Sequence, residues 1–218
     1  WYMSAFSWAY VCMAQWNRST ETAKAAKETL FIYAAQDYIS NVDNRDVLDV
    51  RDHLLKIPNM NTTGRLPAVL LVCKTMRVRF TVTVCRCQAP VDTTGVVNHI
   101  ELNPADRLRW QQDDIDSVFV LHHAPTILVK VDDNDKDTGL GPGVIAVDKH
   151  LCVPFATDLE VPTSSWFSRA RVLKVRARRE QVPLTIVAAS TLYTLQGTTA
   201  EPGSIYFFSF DTCQNACV

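Results

Sequence analysis

Gln181-Val182-Pro183-Leu184-Thr185-Ile186-Val187-Ala188-Ala189-Ser190-Thr191-Leu192-Tyr193-Thr194-Leu195-Gln196-Gly197-Thr198-Thr199 is the segment on which the expected architecture of this chain turns. Its apolar run, 184–189, reads as a buried strand and passes directly into small and hydroxyl side chains that end in Gln196-Gly197-Thr198-Thr199. A buried strand that delivers polar groups at its C-terminal end is where open α/β sheets place their ligands. The expectation is an α/β chain with a functional turn after this strand.

Immediately upstream, Arg169, Arg171, Lys174, Arg176, Arg178 and Arg179 form the one basic concentration of the sequence. In extended chain Lys174, Arg176 and Arg178 share one face and Leu173, Val175 and Ala177 the other, so a sheet would present a cationic ridge. Such a ridge suits contacts to phosphates; it is also what a solvated strand face balanced by acids elsewhere looks like. Both readings stay open on charge alone.

Towards the N-terminus, Asn17-Arg18-Ser19-Thr20-Glu21 followed by alanines and lysines predicts a helix over 17–29. Residues 30–34 read as a buried strand. Asp43 or Asn44 can cap a second helix whose Val47, Val50, Leu54 and Leu55 fall on one side and which ends before Pro58. Helix, strand and helix in succession suggest a parallel α/β layer. Beyond Pro67, strict alternation places Val78, Phe80, Val82 and Val84 on one face of a strand and Arg77, Arg79, Thr81 and Thr83 on the other. Further short strands are expected at 95–102, 117–121, 126–131, 144–147, 151–155 and 170–177, which makes the middle of the chain a β-rich module.

The 218 residues, 47% hydrophobic, suffice for a core of one ordinary domain or two small ones. Twenty-two Lys+Arg against 23 Asp+Glu leave a net charge of −1, so any attraction to nucleic acid must be local. Apolar stretches run only about ten residues, against the roughly 20 that cross a bilayer, and the chain is read as soluble, with no membrane partner. Seven cysteines, an odd number, argue for free thiols in a reducing, intracellular compartment. The opening Trp1-Tyr2-Met3 is read as the start of a fragment of something longer, without the features of a signal peptide.

No side chain is expected to be catalytic. None of the seven glycines lies in a Gly-x-x-x-x-Gly-Lys-Ser/Thr phosphate loop, so the chain is not expected to hold a nucleoside triphosphate by itself. Residues 127–133 mimic the apolar strand and acids that position Mg²⁺ in such enzymes, but without that loop they read as a hairpin strand entering an acidic turn. Asp133-x-Asp135-x-Asp137-x-Gly139 starts like a calcium loop, yet its glycine is one position late and Val144 stands where the bidentate glutamate belongs. Gly139, Gly141 and Gly143 are followed by a β-branched run where a dinucleotide site needs a helix. His122-His123 reads as one buried and one exposed histidine of a strand. Cys85, Cys87, Cys213 and Cys217 could together ligate zinc, although their spacing is not that of a zinc ribbon, and a stand-alone metal enzyme is the weakest alternative.

Gln181-x-Pro183-Leu184-x-x-x-Ala188-x-x-Thr191-x-x-x-x-Gln196-Gly197-x-Thr199 resembles motif V of superfamily 1 DNA helicases of the petite-integration-frequency (PIF) and RecD type. Leu66-Pro67 with Arg77-Val78-x-x-Thr81, then Asp92-Thr93-Thr94-Gly95-Val96-Val97, are similar to that family's next elements and follow in its order. The resemblance covers roughly 29–199, with most of its specificity in motif V. It implies an α/β (α+β) fold: a second RecA-like motor domain with an inserted small β-barrel. On that reading 1–16 is an unassigned N-terminal segment, 17–90 begins the motor domain, 91–180 is the inserted β-rich module and 181–218 returns to the motor with motif V.

The resemblance also implies roles. Thr191 and Tyr193 become DNA-contact candidates alongside Lys174, Arg176 and Arg178, while Gln196, Gly197 and Thr199 become candidates for coupling DNA to nucleotide. The implied protein is an ATP-dependent, 5′-to-3′ DNA helicase of repair or recombination, nuclear if eukaryotic. ATP and Mg²⁺ would bind only in the intact protein, and the partners would be single-stranded DNA and an N-terminal motor domain of the same polypeptide. Tyr193, Thr194 and Leu195 replace the family's histidine, lysine and serine. That departure keeps a second implication open: a degenerate, non-catalytic nucleic-acid or protein-binding β-module derived from a mobile-element helicase.

Overall fold

A computed structural model describes residues 3–5, 8–40, 47–57, 60–84, 89–112, 118–132, 134–147, 152–161, 171–187 and 189–191. The fold is mixed α/β. In chain order the elements are β1 (Met3–Ala5), α1 (Trp8–Ala26), β2 (Leu30–Ala34), β3 (Gln36–Ile39), α2 (Val47–Leu55), β4 (Val69–Val72), β5 (Arg77–Phe80), β6 (Thr94–Glu101), α3 (Pro104–Gln112), β7 (Val118–Leu121), β8 (Thr126–Val131), β9 (Val144–Val147), β10 (Cys152–Val161), β11 (Arg171–Glu180), β12 (Leu184–Ile186) and β13 (Ala189–Thr191).

The strands form a five-stranded sheet in the order β12-β5-β6-β8-β9, two three-stranded sheets, β4-β2-β7 and β10-β11-β3, and the pair β1-β13. Every pairing in the five-stranded sheet is antiparallel. The expected parallel layer at 17–55 is instead mixed, because β2 runs antiparallel to β4 and parallel to β7. Strands β5, β6 and β12 come from the three intervals 17–90, 91–180 and 181–218, and they share one sheet. Phe31, Tyr33, Leu70, Val72 and Phe119 from β4-β2-β7 join Val78, Phe80, Ile127, Val129 and Leu184 of the larger sheet in one core.

Several boundaries differ from the sequence expectation for identifiable reasons. Helix α1 begins well before Asn17, and its hydroxyl residues are internal rather than capping: Ser19, Thr20 and Thr22 donate back to the carbonyls of Gln15, Trp16 and Arg18. It ends at Ala26 because Lys27 takes a left-handed φ of 54° and the Glu28 amide closes onto the Ala23 carbonyl. The alternation from Arg77 stops at Phe80, where the chain turns and the amide of buried Thr81 bonds to the Pro183 carbonyl at 2.9 Å. The run 184–189 splits: β12 pairs with β5, the Val187 amide bonds to the Arg77 carbonyl, and β13 turns to β1. Helix α3 was not anticipated, although Asn103 caps it through the Ala105 amide and Pro104 starts it.

Strands β6 and β8 approach so closely at Gly95 that a Cβ there would lie 2.5 Å from the Lys130 carbonyl oxygen. The third sheet is fastened differently, by a buried ion pair. Arg179 donates from Nε and Nη2 to the two carboxylate oxygens of Asp37 at 2.8 and 2.7 Å, and Nη2 also donates to the Leu54 carbonyl at 2.9 Å. The guanidinium stands 5.5 Å from the centre of the Phe155 ring. Val50 and Leu54 of α2 pack with Val175 and Ala177 on the same side.

Removing one partner leaves the other charge buried without compensation. Asp37→Ala is therefore expected to cost about 3–5 kcal/mol of stability, whereas Asp37→Leu combined with Arg179→Met recovers most of it. Urea unfolding of the three proteins checks this.

Candidate nucleic-acid interface

Strand β11 is two-faced. Lys174, Arg176 and Arg178 are exposed, while Val175, Ala177 and Arg179 between and beyond them are buried. The cationic ridge read from the sequence is thus formed by three residues at alternate positions. Arg179 does not belong to it, because its charge is consumed by Asp37 on the opposite face. Arg169 lies outside the described residues.

The neighbours on the ridge face follow from register. Across β10 stand Asp158 opposite Lys174, Ala156 opposite Arg176 and Pro154 opposite Arg178, all exposed. Across β3, Tyr38 stands opposite Arg178, and Gln36 opposite Glu180. The Tyr38 hydroxyl donates to Glu180 Oε2 at 2.9 Å and lies 3.1 Å from Gln36 Oε1. Tyr38 is a contributor to this face that the sequence did not single out, since only the β3–β11 register brings it there.

Of the segment that resembles motif V, residues 181–187 and 189–191 are described. Gln181 is wholly buried, donates from Nε2 to the Tyr33 carbonyl at 3.2 Å and accepts the Val182 amide on Oε1 at 2.9 Å. It thereby ties the link between β11 and β12 to β2. Thr191 ends β13, where its backbone pairs with Ala5. Tyr193, Gln196, Gly197 and Thr199 lie outside the described residues, as do Cys85, Cys87, Cys213 and Cys217.

The remaining candidates resolve into structural contacts. Asp132 accepts from Arg77 Nη2 at 2.9 Å and from the Thr94 hydroxyl, so it braces the turn that follows β8. Asp137 accepts the Gly139 amide within the same turn. Among the described residues no group of three His, Cys, Asp or Glu side chains is placed to hold a metal. The two histidines are both exposed, because they follow β7 in a bend instead of continuing the strand. Both donate their amides to the buried carboxylate of Asp106, and His123 Nδ1 lies 3.1 Å from it.

Burial alone would raise the Asp106 pKa, but the amides of His123 and His122 and the His123 ring outweigh it and hold the carboxyl below its usual range. Burial pushes the Tyr33 phenol and the Cys73 thiol up, to about 12 and about 11. The lowered Asp106 pKa has a signed consequence. Its stabilisation is fully present above the ordinary carboxylate value of about 3.9 and disappears as pH falls through the lower folded value. Asp106→Asn is expected to remove that part of the acid dependence, read from unfolding midpoints between neutral pH and the acid limb.

No protein-family model matches the chain, and no curated protein does. Solved structures do. Pif1 helicase from Candida albicans is 16% identical with a TM-score of 0.46, over 92% of this chain and 37% of that one. Unliganded Pif1 from a Bacteroides species is 13% identical with a TM-score of 0.47, over 97% and 35%. Bacteroides Pif1 bound to ssDNA is 12% identical with a TM-score of 0.48, over 95% and 34%. The chain is thus similar to Pif1 helicase structures along nearly all of its own length, and it spans about a third of theirs.

Proposed function

We propose that this chain is a C-terminal part of an ATP-dependent DNA helicase of the PIF/RecD-like type, and that it supplies contacts to single-stranded DNA. The observation that carries this reading is the exposed row Lys174, Arg176 and Arg178 on β11, directly upstream of the motif V resemblance. The cations meet backbone phosphates, which requires no base sequence. Thr191 and Tyr193 add DNA contacts, and Gln196, Gly197 and Thr199 couple DNA to nucleotide at the boundary with an N-terminal motor domain.

ATP and Mg²⁺ belong to the intact protein. The sequence contains no phosphate loop to hold them. Movement would be 5′ to 3′. The degenerate alternative has its own specific support, the Tyr193-Thr194-Leu195 replacement, which removes a phosphate-seeking lysine from the coupling turn. On this second reading the chain is a non-catalytic nucleic-acid or protein-binding β-module, and the ridge contacts DNA only in the nucleic-acid form.

Two measurements test the proposal. Lys174→Glu, Arg176→Glu and Arg178→Glu together are expected to weaken binding of a fluorescent oligonucleotide and to flatten the log–log salt dependence by about 2 units, the loss of three single-strand phosphate contacts. An unchanged slope removes the ridge from the interface. The purified chain is expected to show no DNA-stimulated ATP hydrolysis; turnover that tracks the protein through purification overturns the assignment of the nucleotide site to another part of the polypeptide.

A further inference from the structure

The face around the ridge has an aromatic ring at one defined place. Tyr38 is 48% exposed and stands directly across the ladder from Arg178, so their Cβ atoms are about 5 Å apart. Its hydroxyl is held by Gln36 and Glu180, which fixes the ring beside the cation row before any ligand arrives. Alternate residues of a strand repeat at about 6.8 Å, which is on the order of the spacing between successive phosphates of one strand. A nucleic-acid backbone can follow Lys174, Arg176 and Arg178 at about one phosphate per cation. Beyond Arg178 the next residue on that face of β11 is Glu180, whose carboxylate ends the row. A phosphate path along β11 is turned there towards β3, where Tyr38 stands.

We propose that Tyr38 is a base-stacking residue: an unpaired nucleobase lies on its ring while Arg178 holds the neighbouring phosphate. This rests on the reading of the ridge as a nucleic-acid surface and adds to it a preference for single strands, because the bases of a duplex are not available to stack. The subsite is tolerant of base sequence, since every base offers a π-face. Neither Gln36 nor Glu180 needs to read a base edge; both act by holding the ring.

The test uses the full chain and two fluorescent oligomers of about 12 nucleotides, within the usual site sizes, one of oligothymidylate and one abasic with the same phosphates. Tyr38→Ala is expected to weaken oligothymidylate binding roughly five- to hundredfold and to leave the abasic oligomer unaffected, while Tyr38→Phe, which keeps the π-face and loses only the hold on the hydroxyl, falls between the parent and Tyr38→Ala on oligothymidylate and leaves the abasic oligomer unaffected. Tyr38→Thr keeps strand propensity without a π-face and provides the same comparison if the alanine variant folds poorly. A Tyr38 substitution that shifts both oligomers by one factor, or neither, overturns the stacking assignment. Arg176→Glu with Arg178→Glu weakens both oligomers if the ridge is a phosphate track; if it does not, the underlying reading fails whatever Tyr38 does.

Discussion

The bidentate pair between Arg179 and Asp37 is the constraint from which the organisation of the β10-β11-β3 sheet follows. A buried guanidinium is costly unless its charge is paired, and here the carboxylate pairs it through Nε and Nη2, the Leu54 carbonyl takes a further bond from Nη2 and the Phe155 ring lies beside it, while Nη1 has no hydrogen-bond partner among the described residues. One contact thereby joins β11, β3 and the C-terminal turn of α2. It also decides parity. With Arg179 turned inwards, Arg178, Arg176 and Lys174 must point outwards, and a slip of one residue would bury three cations and expose the apolar row. The charge hidden beneath the sheet specifies which charges appear on top of it.

The rest of the molecule is held by more ordinary means. The five-stranded sheet and the β4-β2-β7 sheet share an apolar core, and Gln181 crosses from the end of β11 to the Tyr33 carbonyl of β2. The chain between β11 and β12 is consequently fixed at both ends. Arg179 anchors one side, Gln181 the next, and Leu184 enters the ladder with Phe80. The ridge and strand β12 are positioned relative to one another by consecutive buried side chains.

Local pattern revealed the elements that local pattern determines. Residues 30–34, 126–131 and 144–147 read as strands because they are short apolar runs closed by turn residues, and the two faces of β11 followed from simple alternation. Strand β3 was hidden because Gln36-Asp37-Tyr38-Ile39 looks like a polar loop; its buried aspartate makes sense only with an arginine far along the chain. The break in 184–189 was equally invisible, since it depends on β1 claiming the second half. Helix α3 carried a readable Asn103-Pro104 start, but a polar composition concealed it. Of the candidate site, the three cations were legible and Tyr38 was not, because a register across distant strands is not written in either strand alone.

The 142 residues that separate Asp37 from Arg179 also bear on how the chain comes into being. At about 5–20 residues per second of synthesis, roughly 7–28 s pass between the appearance of the acid and that of its partner. During that interval β3 has no β11 to pair with, and α2 has no sheet to cover. The N-terminal third therefore leaves the ribosome with an open strand edge and an uncompensated aspartate, and closure of the β10-β11-β3 sheet is a late event in folding. Its assembly waits on the synthesis of Arg179, so truncation between Asp37 and Arg179 leaves β3 without its partner strand.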